Sequence, residues 1–138
     1  MMLSPSEREF VLRRRIGHLA TVGSAQVPTV VPVCFALAEG VLYTAVDGKT
    51  KRTRDLRRLR DLEENPHVAF SADRYDEDWS ALGWVMMRGR GDVLESGAEF
   101  EQGCQLLRSR YVQYLAMTLG PVIALRIVEV RSWGDLDG

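Results

Sequence analysis

The sequence predicts a mainly β fold in which about six strands form a small, largely antiparallel barrel with helices packed outside it. Three observations lead there. About six short runs are rich in β-branched and aromatic residues. Turn pairs such as Gly23-Ser24, Glu39-Gly40, Asn65-Pro66 and Gly120-Pro121 punctuate them. Three segments between or before the runs carry helical spacing instead, in the order helix, three strands, helix, two strands, helix, strand. The 138 residues suit one domain spanning 1–138, and no repeat, low-complexity tract or linker divides them.

Ser4-Pro5-Ser6-Glu7 opens the first helix. Ser4 can cap it, Pro5 suits the first turn, and Glu7 stands where a capping box needs its acid. This helix is expected to reach about Arg15, to bury Phe10 and Val11, and to stop at Gly17. Residues 18–22 read as the first strand and 29–37 as the second. Pro28 and Pro32 lie beside and within the second. Proline has no N–H for a ladder, so this strand is expected to be bulged or at an edge, with backbone groups free to bond something else. Residues 41–46 return after the Glu39-Gly40 turn. Leu56, Leu59 and Leu62, spaced by three, predict a helix over roughly 51–64 that Asn65-Pro66 stops. Residues 67–72 and 83–94 read as strands on either side of an acidic loop at 73–80. Ser96 and Glu99 repeat the capping-box spacing, and Phe100, Cys104, Leu107, Tyr111 and Leu115 share one helical face. Residues 122–130 alternate as a last strand.

Composition narrows the function. A net charge of −1 argues against a nucleic-acid binder. No apolar run has the length of a membrane span, and the first residues lack an apolar signal core, so a cytoplasmic protein is expected. Cys34 and Cys104 sit in apolar patterns without metal-ligand spacing and read as reduced core residues. His18 and His67 both fall in expected strands and read as structural histidines. No nucleophile–histidine arrangement, Walker loop or dinucleotide fingerprint is present, and the acidic loop lacks calcium-loop spacing. A hydride-transfer cofactor carries its own chemistry and needs none of these groups from the protein.

Charge is uneven, however. Seven of the 18 Lys and Arg residues lie between Lys49 and Arg60. In Val46-Asp47-Gly48-Lys49-Thr50-Lys51-Arg52-Thr53 a strand ends, a glycine turn follows and a helix is expected to begin. Exposed N–H groups at a helix start favour an anion, and Lys49, Thr50, Lys51 and Arg52 add charges and a hydroxyl suited to phosphate. Cations at that end oppose the helix dipole, a local conflict expected at functional sites. The alternative is a solvated basic face balanced by Asp55, Asp61, Glu63 and Glu64. Arg57, Arg58 and Arg60 lie further along and read as solvated, with Asp61 an i+4 partner of Arg57.

Several stretches in order carry a resemblance: residues 18–22, Pro28-Thr29-Val30-Val31-Pro32-Val33, Leu42-Tyr43-Thr44, Lys49 through Arg52, residues 65–70, Asp76-Glu77-Asp78-Trp79-Ser80, Trp84-Val85 and Arg88-Gly89. Over residues 17–91 the chain resembles the pyridoxamine 5'-phosphate oxidase-like superfamily, and the later stretches resemble its flavin/deazaflavin, F420-dependent branch. The resemblance implies a split β-barrel homodimer with two cofactor sites at the subunit interface. It implies that Thr29, Val30, Val31, Pro32 and Val33 offer backbone groups to the ring. It also implies that Lys49, Thr50, Lys51 and Arg52 bind phosphate, that Trp84 stands near the ring, and that Trp79 closes the site. Either tryptophan could equally be packing. Residues 130–134 do not match the substrate-binding end of a true pyridoxamine 5'-phosphate oxidase, so vitamin B6 oxidation is not expected. The expectation is a reductase that uses coenzyme F420 to pass hydride to a planar conjugated small molecule. The alternatives are an FMN-binding oxidase or reductase of the same fold and a non-catalytic carrier of the cofactor. No nucleic-acid or membrane partner is expected.

Overall fold

Seven strands form one open sheet, and the way its first half splits explains the rest of the molecule. The structure, a computed structural model, describes residues 2–47 and 56–138. The strands are β1 (Gly17–Val22), β2 (Pro28–Val33), β3 (Ala36–Ala38), β4 (Val41–Asp47), β5 (His67–Arg74), β6 (Gly83–Leu94) and β7 (Leu119–Gly134). They lie in the order β2-β1-β5-β6-β7-β4-β3, and every pairing is antiparallel. Helices α1 (Pro5–Leu12), α2 (Arg57–Glu64) and α3 (Ala98–Arg110) flank the sheet.

The expected second strand at 29–37 is in fact two strands, so the sheet has seven rather than about six. The run breaks at Cys34-Phe35, and β2 and β3 stand at opposite edges of the sheet. Phe35 causes the break. Its N–H donates to the Tyr111 hydroxyl (3.0 Å) instead of to a ladder, and its buried ring meets Phe70 edge-on (centroids 4.9 Å apart). The two edges therefore converge on one interior, where Val33, Phe35 and Leu37 pack with Leu19, Leu42, Phe70, Val85, Met87 and Leu125. The sheet curls without closing, which is the split-barrel fold. β2 is an edge, as its prolines require, with Pro28 opposite Val22 and Pro32 opposite His18.

The helices follow local rules until tertiary contacts overrule them. Ser4 Oγ accepts from Glu7 N (3.1 Å) and Ser4 N donates to Glu7 Oε1 (2.9 Å), so the capping box at α1 forms. The helix stops at Leu12 rather than near Arg15 because the Arg110 guanidinium takes the Leu12 and Arg14 carbonyls, which a continuing helix would use internally. Gly17 accordingly belongs to β1. Helix α2 begins at Arg57, after an extended Leu56. The expected start at Lys51 lies outside the described residues. At α3 the Ser96/Glu99 box does not form. Gly97 caps the helix at φ 100°, and Glu99 is instead held by Arg126 and Tyr43. Tyr111 is the C-cap, and Leu115 lies exposed in a 3-10 turn beyond it.

Two layers of core result. The first fills the curl of the sheet and is plugged by Phe10 and Val11 of α1 and Leu59 and Leu62 of α2. The second lies under α3, where Cys104 and Leu107 meet Ala36, Tyr43, Ala45, Val122 and Ala124. Cys104 is buried, whereas Cys34 is only half-buried. Helix α3 thus covers the outer face of β3, β4 and the first half of β7. The outer face of β2, β1, β5, β6 and the far half of β7 stays open, with Val30 62 % exposed.

Candidate functional site

Strand alternation sends every second residue onto that open face. On β1 these are His18, Ala20 and Val22; on β5, His67, Ala69 and Ser71; on β6, Trp84, Met86, Arg88 and Arg90. Register then aligns them into rows. Val30, Ala20, Ala69, Arg88 and Glu129 are successive partners across β2, β1, β5, β6 and β7. Two alanines side by side in this row leave a trough where longer side chains would fill the space.

A cleft of about 520 Å³ occupies the trough. Ala20 and Ala69 lie at its floor, with Val22, Pro28 and Val128 as apolar walls and His67, Arg88, Arg90 and Glu129 as polar ones. A β-bulge shapes one side. Arg88 pairs with Glu129 but Gly89 pairs with Ile127, so Val128 is an extra residue on β7 and stands exposed at the cleft. Gly89 is required there, because a Cβ at this position would lie 1.9 Å from the Arg126 carbonyl oxygen.

The walls carry surplus positive charge. Glu129 accepts from Arg131 (2.9 Å) and Arg88 (3.0 Å), and these bonds hold its carboxyl below the ordinary range. Arg90 has no hydrogen-bond or ion-pair partner among the described residues, and its side chain is exposed. Among the described residues no three His, Cys, Asp or Glu side chains gather as metal ligands. An apolar floor with guanidinium groups at its rim suits a planar ring system bearing anionic substituents.

The residues singled out from sequence are distributed unevenly around this cleft. Val30 and Pro32 project onto the same open face, and Val30 is in register with the floor residue Ala20. Val31 and Val33 turn inward against the core. Thr29 lines a separate cleft of about 210 Å³ with Asp61, Glu64 and Arg57. Asp61 is buried and accepts from Thr21 Oγ1 (2.8 Å), with Arg57 at 4.0 Å, the expected i+4 pair. Trp84 lies on the open face opposite Trp133, away from the cleft. Trp79 is 70 % exposed in a 3-10 turn and donates to the Tyr75 hydroxyl (3.4 Å), also away from the cleft. Lys49, Thr50, Lys51 and Arg52 lie outside the described residues, and α2 starts with Arg57 and Arg58. His18 and His67 both lie in strands, as expected, and both are exposed; His67 lines the cleft. Sequence reading missed Ala20, Ala69, Arg88 and Arg90 as a group. Its only local signal was the charged middle of the strand at 83–94.

Solved structures share this fold. A conserved hypothetical protein, Rv2991 from Mycobacterium tuberculosis, is similar at 20 % identity and TM-score 0.74, over 97 % of this chain and 86 % of that one. The heme storage protein HutZ from Vibrio cholerae is similar at 18 % identity and TM-score 0.73, over 97 % of this chain and 95 % of that one. A heme binding protein from Mycobacterium smegmatis matches all of this chain at 19 % identity and TM-score 0.70, but only 57 % of its own length. A comparison with curated proteins finds no match. The family model described as pyridoxamine 5'-phosphate oxidase matches residues 3–134, which take in the whole of β1 to β7, and the chain belongs to that family.

Proposed function

We propose that this protein binds a planar redox cofactor with an anionic tail, coenzyme F420 first and FMN second, and passes hydride to a planar conjugated small molecule. The observation that carries the reading is the cleft over Ala20 and Ala69, apolar at its floor and edged by Arg88 and Arg90. The alanines would seat the ring and the arginines would draw anionic groups to its edge. Val30 and Pro32 on edge strand β2 would border the ring from one side. Lys49, Thr50, Lys51 and Arg52 would grip the phosphate, with Trp84 and Trp79 closing over the outer part of the face. A second copy of the chain would cover that face and exclude water; the exposed Val30, Val128, Trp84 and Trp133 support this. When bound, the reduced deazaflavin supplies the hydride, and the chain's task is to bind, orient and shield it.

Titration of purified protein with F420 and with FMN, followed by turnover of a quinone or an enone, tests the reading. Tighter binding of F420 with turnover supports the reductase. Preference for FMN supports the flavin alternative, and tight binding without turnover supports a carrier. Lys51→Ala and Arg52→Ala are each expected to weaken binding by about 1.5–3 kcal/mol, the worth of a charge-assisted bond to an anion. A second reading is heme in the same cleft. It is favoured by the similar heme proteins and by a histidine at the rim of a cleft suited to a planar dianion. A Soret band that appears on titration with heme, and that F420 does not displace, would favour it.

A further inference from the structure

Reduction of a conjugated carbonyl compound by hydride requires a proton as well as the hydride. We propose that His67 is the residue that donates this proton to the acceptor. The assignment rests on the hydride-transfer reading above and names a role that reading leaves open. Among the described residues, several side chains lining the cleft carry or could carry an exchangeable proton, and all but one are otherwise committed. Thr21 donates its hydroxyl to Asp61 (2.8 Å) on the inner side of the sheet. Arg88 and Arg90 keep their protons at any working pH. Glu129 is held ionised by Arg131 and Arg88 and has no proton to give. There remains His67, whose imidazole can carry an exchangeable N–H proton and has no other assigned task.

Position agrees with the role. His67 and Ala69 project on the same face of β5, about 7 Å apart along the strand, so the imidazole stands at the edge of the floor over which the cofactor ring, and an acceptor stacked on that ring, would lie. The His67 backbone N–H donates to Asn65 Oδ1 (3.0 Å), and Gly91 N donates to the Pro66 carbonyl (2.8 Å), which fixes the start of the strand. The side chain is exposed, so water can restore its proton. The charged groups around it are Arg88 and Arg90 from β6, the latter directly opposite in register, and Glu129 from β7. β1 and β2 present no charged group there, with Ala20, Val22 and Pro28 lining the cleft beside Thr21, and Glu64 at the end of α2 is engaged by Ser24. The step balances. The bound cofactor would supply the hydride for the acceptor's new C–H bond, and the displaced electron pair would move to the acceptor's carbonyl oxygen. The His67 N–H bond breaks, the proton forms an O–H bond on that oxygen, and the neutral imidazole takes a proton from water.

His67→Gln and His67→Ala in the full chain test this. F420 affinity is measured first, so that rates are compared between proteins saturated with the cofactor. The kcat for enone reduction is then expected to fall about 100-fold, with KM little changed. The pH profile of kcat should differ from that of the unaltered protein in both variants, and added imidazole should restore rate in His67→Ala. A second readout needs no turnover: 4-nitrophenolate, a planar anion resembling the reduced acceptor, should move the His67 imidazole resonance in NMR and leave His18 unmoved. Variants that bind F420 yet keep the original kcat and pH profile, or an imidazole resonance indifferent to the probe, overturn the assignment alone. Failure of the unaltered protein to bind F420 overturns the hydride-transfer reading and this assignment with it.

Discussion

Glu99 shows how one residue's partners set its chemistry. Arg126 holds its carboxylate in two bonds (2.6 and 2.9 Å) and the Tyr43 hydroxyl donates a third (2.8 Å). These bonds lower the Glu99 carboxyl from an ordinary 4.5 to about 2, the Arg126 bonds contributing most. Burial, reinforced by Glu99, pushes the Tyr43 phenol up to about 12. The sign follows for each. A depressed carboxyl stabilises the fold above its ordinary value and loses that contribution as pH falls toward 2. A raised phenol stabilises below its ordinary value and loses that contribution as pH rises toward 12. Urea denaturation at stepped pH is expected to show stability falling between about 4.5 and 2, and Glu99→Gln should flatten that slope. A slope in Glu99→Gln as steep as in the unaltered protein would show that other carboxylates dominate acid unfolding.

Among the elements, β6 was read with the bounds it has, because its alternation is complete: Val85 and Met87 point in while Trp84 and Arg88 point out. The break between β2 and β3 was not legible. Residues 29–37 form one β-prone run, and the break depends on Phe35 N–H finding Tyr111, a residue distant in sequence. The second capping box failed for a similar reason, since Ser96 and Glu99 have the right spacing but Arg126 on β7 claims Glu99. The same limit applies to the site. The basic stretch at 49–52 can be picked out from composition, whereas the cleft requires Ala20, Ala69 and Arg88 to become neighbours by pairing of β1, β5 and β6. The bulge that pushes Val128 toward this cleft depends on Gly89. Gly89→Ala is expected to cost about 1–3 kcal/mol, as overpacking does, since its Cβ would meet the Arg126 carbonyl. Thermal unfolding measures this, and a melting temperature equal to that of the unaltered protein would mean that the bulge relaxes freely.

For the molecule as a whole, the consequence of the fold is its uncovered face. Helix α3 seals one half of the outer sheet surface, while Val30, Val128, Trp84 and Trp133 remain exposed on the other. An apolar face of this kind marks an interaction surface. Sedimentation of the purified protein is expected to give a dimer, and Val30→Glu should shift it toward monomer with a parallel loss of cofactor affinity. A monomer at all concentrations would remove the second copy from the proposed site. No described helix is long and apolar enough to cross a membrane.

The central claim is that the cleft over Ala20 and Ala69 is where the cofactor ring lies. The measurement that tests it most directly is F420 titration of Ala69→Phe beside the unaltered protein, with far-ultraviolet circular dichroism to verify folding. Filling the floor with a phenyl ring is expected to abolish binding while the spectrum stays the same. Equal affinity in the two folded proteins would contradict the claim and move the site elsewhere.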